Sequence, residues 1–509
     1  MKRVNLLIAA GLFAGSFILY TRTLAPSLLY GDSAEFQTIT HTLGIGHPTG
    51  YPVYVLLAKL FTLISVGEIA YRVNLFSAFC AALTLGLVYL ILRELGARII
   101  PSICGALALG LTSQFWKYAS MAEIYAPAAA CLALILFAVF QWKETKSSRW
   151  LFLAGLAGGL SLGIHTTVAL SGIAILVYLF LSTRQRNDWL QASLGASIGV
   201  VLFLSSFFIL DAFNSPAGYY NTVVRPSLSV WGMTPENFDS PFERLAFLYF
   251  PPQFKGQFFA AKGDEIALRF HDFTEGSGSS MALAILGLVS LSPVLYKTDS
   301  ARWREAILLA VAILLFFGFA ITYAVDDFHV YYIPVMLLLS ILVGLGLNAI
   351  VELAGLGFNT LPLVPVGLGI LILVIGFSLA ANKISSHWRE RIPPGLEDWE
   401  EYFFSFPENR KFEAEQTVNR LEDNAIVFTD WDSAYSFYYV AHVLQRRTGM
   451  SFHETFPQEG ITRFADSAIE YIDSNIDSRP IYFSERPSQL GDRYKITRAG
   501  SGLFQIEKK

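Results

Sequence analysis

The chain has 509 residues, 53% hydrophobic and 15% charged, with mean hydropathy +0.47 and a net charge of −4. A water-soluble domain carries about 25% charged residues, so a purely soluble enzyme, a disordered chain and a secreted disulfide scaffold are excluded, and near-neutrality gives no support to nucleic-acid binding. Charged residues make up about 29% of the sequence from Asn382 onward and about 11% before it, so an apolar body (1–381) precedes a polar tail (382–509).

A bilayer core takes about 20 apolar residues per helix. The runs 4–20, 73–92, 99–115, 122–140, 192–210, 281–296, 306–325, 331–351 and 361–381 each predict one span. Residues 1–20 also have the basic start and apolar stretch of a signal peptide. They are read as the first span because they order the loop that follows. The run 151–181 is too long for one span and short for two. Basic segments flank it on both sides, at 143–149 and 184–186, and basic short loops face the cytoplasm. An even number of crossings must lie between them, which predicts a hairpin of short helices with His165 at its outer apex. The total is about eleven spans, with the N-terminus cytoplasmic and the tail outside, in a cell (plasma or inner) membrane. Cys80, Cys104 and Cys131 fall within apolar runs and read as small buried hydrophobes.

Three outer segments are more than connections. The first loop, 21–72, holds a second apolar stretch at 53–66 that carries Lys59, as expected of a helix lying in the interface. A large loop, 213–280, is rich in aromatics, Pro and Gly. The tail reads as a small extracytoplasmic α/β domain, with strands at 425–429, 481–484, 494–497 and 503–506 and helices at 433–446 and 461–476. No internal repeat is visible, although many secondary transporters are built from inverted halves.

Ionisable groups at a membrane are costly and usually functional. Here they gather at the outer helix ends, whereas a proton-coupled transporter needs acids near the midplane. The densest cluster is Gly31-Asp32-Ser33-Ala34-Glu35-Phe36. Asp32 and Glu35 stand three apart and share one helix face. A plain helix cap gives the same spacing, but two carboxylates at a membrane surface also supply a general base or two oxygen ligands. Gly46-His47-Pro48-Thr49-Gly50-Tyr51-Pro52 fixes a turn that aims His47 back along the loop, where it can shuttle a proton or bind phosphate. The turn from Trp116 to Tyr125 brings Lys117, Glu123 and Tyr125 to the same compartment. His165 and Asp327 join them from two further loops. Arg72 and Arg225 are candidates for binding phosphate. Asp32, Glu123 and His165 are the candidate ligands for a divalent ion.

The first loop, from Gly31 to Phe36 and from Leu43-Gly44-Ile45-Gly46-His47 to Pro52, resembles a family of multi-pass proteins long labelled a domain of unknown function. That family includes an animal transmembrane protein O-mannosyltransferase. Further matches follow in order at Arg72 to Ala78, Trp116 to Tyr125, Ser161 to Thr167 and Asp327 to Pro334. The resemblance implies a GT-C glycosyltransferase: an α-helical multi-pass membrane protein moving a sugar from a polyprenyl-phosphate carrier to a protein, glycan or lipid acceptor outside the membrane. It places the essential acid at Asp32 with Glu35 beside it. Substrate-binding candidates are Arg72, Lys117, Glu123, Tyr125, His165, Arg225 and Asp327. In some GT-C members a second acid in the turn occupied here by Glu123 helps hold a metal. Where family members carry Gly-Asp-Asn-Asp in the tail, this chain has Thr429-Asp430-Trp431-Asp432, and no role is carried onto it.

Two other classes remain open to the sequence. A flippase or solute transporter would tolerate loss of Asp32 better than loss of cavity-lining basics. A non-catalytic, glycan-binding assembly protein would survive neutralising every first-loop carboxylate.

Overall fold

Apolar helices dominate the first 354 residues of the computed structural model, which describes residues 3–291, 302–354, 409–457, 460–500 and 502–509. The chain enters through α1 (Arg3–Arg22), and the shorter α2 (Gly31–Thr42) and α3 (Pro52–Thr62) precede α4 (Ile69–Glu94). A bent pair follows, α5 (Ile99–Gly110) and α6 (Ser113–Ala119), turning by 71°. The bend has a local cause: Thr112 stands between the two helices and its side chain caps α6 by accepting from the Phe115 N–H. After α7 (Tyr125–Thr145), helices α8 (Arg149–Ser161) and α9 (Ala169–Ser182) run out and back. Helix α10 (Arg186–Phe213) leads to α11 (Pro241–Tyr249), and α12 (Gly263–Ser290), α13 (Trp303–Thr322) and α14 (Ile333–Leu353) follow.

Six segments have the length and apolarity of a bilayer span: α1, α4, α7, α10, α13 and residues 328–353, which include α14. The bent α5–α6 pair makes a seventh. Of the eleven expected, six or seven meet that measure among the described residues. The reasons are length and composition. Helices α8 and α9 have 13 and 14 residues, and the apolar part of α12 is only Ser280–Ser290. The run expected at 361–381 lies outside the described residues.

Glycine lets two helix pairs approach closely. A Cβ at Gly155 or Gly159 of α8, or at Gly195 or Gly199 of α10, would run into the backbone of the facing helix. Small residues four apart on both helices are how membrane helices bring backbones into contact. Gly287 and Gly346 do the same between α12 and α14.

The bundle has two chemically distinct ends. At one, Asp188 is buried and accepts from Trp142 Nε1 (3.1 Å), Ser148 Oγ (2.6 Å) and Thr183 Oγ1 (2.7 Å). Nearby, Glu305 pairs with Lys143 (2.6 Å) and accepts from the Tyr178 hydroxyl (2.8 Å). The Arg302 guanidinium lies against Gly96. This end thus gathers the basic segments. The opposite end gathers the loops around residues 31–51, 112–124, 162–168 and 323–332. The 53–66 stretch is helical as α3, with Val53, Tyr54, Val55 and Ala58 buried and Leu57, Leu60 and Leu63 exposed, the two-sided character of an interfacial helix.

In the tail, β1 (Ile426–Thr429), β2 (Ser451–Glu454), β3 (Ile481–Phe483), β4 (Tyr494–Arg498) and β5 (Phe504–Lys508) form one sheet in the order β2-β1-β3-β5-β4. The first three strands in that order run parallel, and β5 is antiparallel to β3 and β4. Alternation along the strands feeds two cores. Val427, Phe452 and Tyr482 pack with the helices at 409–418 and 431–444, while Ile426, Phe428, Ile481 and Phe483 pack with Asp466–Asn475. The helix that begins at Trp431 also sits on the bundle: the Thr38 hydroxyl donates to Tyr435 O (3.1 Å), and the Tyr439 hydroxyl accepts from Ala70 N (2.9 Å).

Candidate active site

The N-terminal part of α2 carries both acids, Asp32 in the first turn and Glu35 in the next. Glu35 is fully buried, while the Asp32 side chain is 44% exposed. Beyond α2 the chain reverses through a tight turn, with Gly46 N donating to Gly50 O (3.1 Å) and Gly50 N to His47 O (2.6 Å). Gly50 has φ +87°, a region that favours glycine. The turn aims His47 back onto α2. Its backbone N–H donates to Glu35 Oε1 (2.8 Å), and Nδ1 meets Glu35 Oε2 at 2.5 Å. On the other side of the ring, Nε2 lies 3.0 Å from the Tyr51 hydroxyl and 3.7 Å from Asp32 Oδ2.

These contacts assign the protons. The Tyr51 hydroxyl donates to Pro48 O (2.9 Å), so it receives a hydrogen bond from Nε2, and Glu35 receives one from Nδ1. The ring is therefore an imidazolium. Burial alone would lower its pKa, but Asp32 and then Glu35 raise it to about 9. Burial pushes the Glu35 carboxyl up, and His47 opposes the shift. His47 is thus a fixed cation at neutral pH, unsuited to the proton shuttling its residue type suggested.

Other predicted residues converge here. Glu123 is buried and accepts from Ser33 Oγ (3.0 Å); burial, then Asp32, holds its carboxyl well above the usual range. Asp327 is pushed up to about 6 by burial, which Lys117 opposes and Asp32 reinforces. Tyr125 packs against His165 (5.7 Å between rings), and His165 against Tyr331 (5.9 Å). His165 itself hydrogen-bonds Thr167 through Nδ1, and burial, then the charge of His47, lowers it to about 4.

Two predicted residues stand apart. The Arg72 guanidinium is engaged by three backbone carbonyls, those of Thr62 (2.9 Å), Val66 (3.0 Å) and Gly67 (3.0 Å), and closes the α3–α4 turn. Arg225 is exposed in the large loop, near Tyr220, Tyr471 and His453. Neither reaches the acidic cluster.

The tail adds residues for which the sequence offered no local signal. Trp431 packs edge-on against His47 (5.9 Å), Tyr219 (5.9 Å) and Tyr435 (4.9 Å). The buried Tyr435 phenol lies beside Glu35, and burial, then Glu35, holds its pKa well above the ordinary value. The one available hint was the acid-flanked Trp431 four residues before Tyr435.

Among the described residues, those that could group around a divalent ion are Asp32, Glu35 and His47, whose ligand atoms lie within 4.8 Å of one another, in place of the expected Asp32, Glu123 and His165. The set does not fit a metal. Both Glu35 oxygens already accept from His47, and an imidazolium has no lone pair to give. Asp32 is the carboxylate of this group left open to solvent.

Comparisons with known proteins agree with this architecture. Residues 32–189 match the family model described as the protein O-mannosyl-transferase TMEM260 N-terminal domain. The mouse (Mus musculus) protein O-mannosyl-transferase TMEM260 is 29% identical over 185 residues, which is 35% of this chain and 26% of the mouse protein. The likeness thus spans about a quarter of that relative. ArnT from Cupriavidus metallidurans, solved bound to undecaprenyl phosphate, superposes with TM-score 0.55 at 14% identity, over 98% of this chain and 97% of ArnT. The Archaeoglobus fulgidus oligosaccharyltransferase, in its apo form, gives TM-score 0.51 at 14% identity over 94% of this chain and 69% of its own. Together these likenesses show a helical membrane protein that shares the fold of ArnT and of the archaeal oligosaccharyltransferase and whose residues 32–189 match the TMEM260 N-terminal domain.

Proposed function

We propose that this chain is a glycosyltransferase that moves a sugar from a polyprenyl-phosphate donor to an acceptor hydroxyl, with Asp32 as general base. The observation that carries the reading is the division of labour in the first loop. Glu35 and His47 neutralise and fix each other inside the protein, and Asp32, one turn away, stays accessible. A hydroxyl is a poor nucleophile at neutral pH, and a carboxylate within hydrogen-bond reach takes its proton as attack proceeds. The leaving phosphate is anionic and needs a cation, which Lys117 supplies at the same end of the bundle. The name of the mouse relative and the lipid bound to ArnT support the sugar-transfer class and a lipid-linked donor. Mannose is the sugar to test first. Clustered basic segments at the opposite end support a cytoplasmic N-terminus and an outward-facing site.

The test uses the purified full chain in detergent with a panel of radiolabelled polyprenyl-phosphate sugars. Wild type should release sugar to water or to an added acceptor, and Asp32→Asn should lower that rate by about 10²- to 10⁴-fold in a sample that stays monodisperse. Wild-type protein inert with every donor, or Asp32→Asn active within about threefold of wild type, would reject the proposal.

A further inference from the structure

Helix α2, which carries Asp32 and Glu35, begins without a cap of its own. The residue at its N-cap is Tyr30, whose side chain accepts nothing from the first turn. The first N–H groups of a helix need an acceptor from elsewhere, and the tail brings one. The Asp432 carboxylate stands at the N-terminus of α2, its Oδ1 3.5 Å from the point where Gly31 would carry a Cβ. Gly31 has φ +56°, so a side chain there would be strained as well as close to the carboxylate.

Three more contacts from the tail hold the same site. The Arg410 guanidinium lies 4.6 Å over the Tyr30 ring and hydrogen-bonds Ser436 Oγ (3.0 Å) and Ser433 Oγ (3.3 Å) on the helix that starts at Trp431. Trp431 bears on the His47 ring, and Tyr435 O accepts from Thr38 on the next turn of α2.

We propose that the tail segment 431–435 completes the acidic site, with Asp432 and Trp431 as positioning residues: Asp432 caps α2 and so fixes Asp32, and Trp431 holds the His47 ring in place. The catalytic part of this statement rests on the sugar-transfer reading, and the capping part does not.

The experiment compares Asp432→Ala, Asp432→Asn, Trp431→Ala and Trp431→Phe in the full chain by hydrogen–deuterium exchange and by sugar transfer. Loss of the cap should speed exchange at the amides of Glu35, Phe36 and Gln37 by about fivefold in Asp432→Ala, whereas Asp432→Asn, which keeps a side-chain acceptor, should match wild type. In transfer assays, Asp432→Ala and Trp431→Ala should lower kcat by about tenfold to a hundredfold with the donor KM within about threefold, and the conservative variants should recover most of the rate. Unchanged exchange in Asp432→Ala, or equal acceleration in Asp432→Asn, would overturn the capping role. A normal kcat in both alanine variants would overturn the positioning role. A wild type inert with every donor would count against the sugar-transfer reading alone, and the exchange data would still decide the cap.

Discussion

The buried pairing of His47 with Glu35 makes the stability of the protein depend on pH in a calculable way. The folded protein holds the His47 proton up to about pH 9, while an unfolded chain releases it near 6.5. At about 1.4 kcal/mol per pH unit, this difference corresponds to about 3 kcal/mol favouring the fold. Part of that is offset because burial disfavours the charged form of Glu35, leaving an effect of roughly 1–3 kcal/mol. The sign follows from proton binding: the native state holds the proton more tightly, so the stabilisation is complete below 6.5 and disappears as pH rises through about 9. Thermal unfolding of the detergent-solubilised chain, followed by intrinsic fluorescence between about pH 6 and about pH 10, should show a fall of a few degrees between about pH 6.5 and about pH 9 and little change above that. His47→Gln should start lower and flatten the fall. An equally steep alkaline decline in His47→Gln would refute the argument, because the titration would then belong to another group.

Three further outcomes follow from geometry already described. Gly195→Leu should abolish recovery of monodisperse protein on size exclusion, since a Cβ there meets Phe152 O of α8; Gly158→Ala, which meets nothing within 4 Å, should be recovered as wild type. At the C-terminal end of α10, Arg244 grips the half-buried Asp211 through Nε and Nη2, both at 2.7 Å. Arg244→Ala should therefore destabilise by about 1–3 kcal/mol, and adding Asp211→Asn should restore part of the loss in melting temperature. Asp327, pushed up to about 6, should give the transfer rate an acidic limb near that pH, absent from the pH profile of a surviving Asp327→Asn enzyme.

Residues that make the site by local geometry were readable in the sequence, and those that reach it through long-range contacts were not. Asp32, Glu35 and His47 lie within one short stretch, and the glycines and prolines of the 46–52 turn leave the chain few ways to fold back. Trp431 and Tyr435 arrive on a helix almost four hundred residues away, and no local pattern records such a meeting. Arg72 illustrates the opposite error. A cation at the edge of a membrane loop suggested phosphate, yet three carbonyls within ten residues of it already satisfy its donors. The hairpin of short helices expected over 151–181 is present as α8 and α9 on either side of His165, because the basic segments flanking the run carry information that apolarity alone does not. Strand β2, four residues containing His453 and Glu454, was too short and too polar to register as a strand.

The hydrogen bond from Thr38 to Tyr435 joins groups 397 residues apart in the chain. At a synthesis rate of about 5–20 residues per second, the first loop emerges from the ribosome roughly 20–80 seconds before its partner exists. Throughout that interval the helices can insert and the His47–Glu35 pair can form, since both depend on nearby residues. Helix α2 gains its contacts with the tail helix only once the segment beyond residue 430 has been translated and delivered to the same side. Completion of the site is therefore a late event in biogenesis, and a nascent chain still threading through the translocation machinery meets the surrounding lipid with that contact unmade.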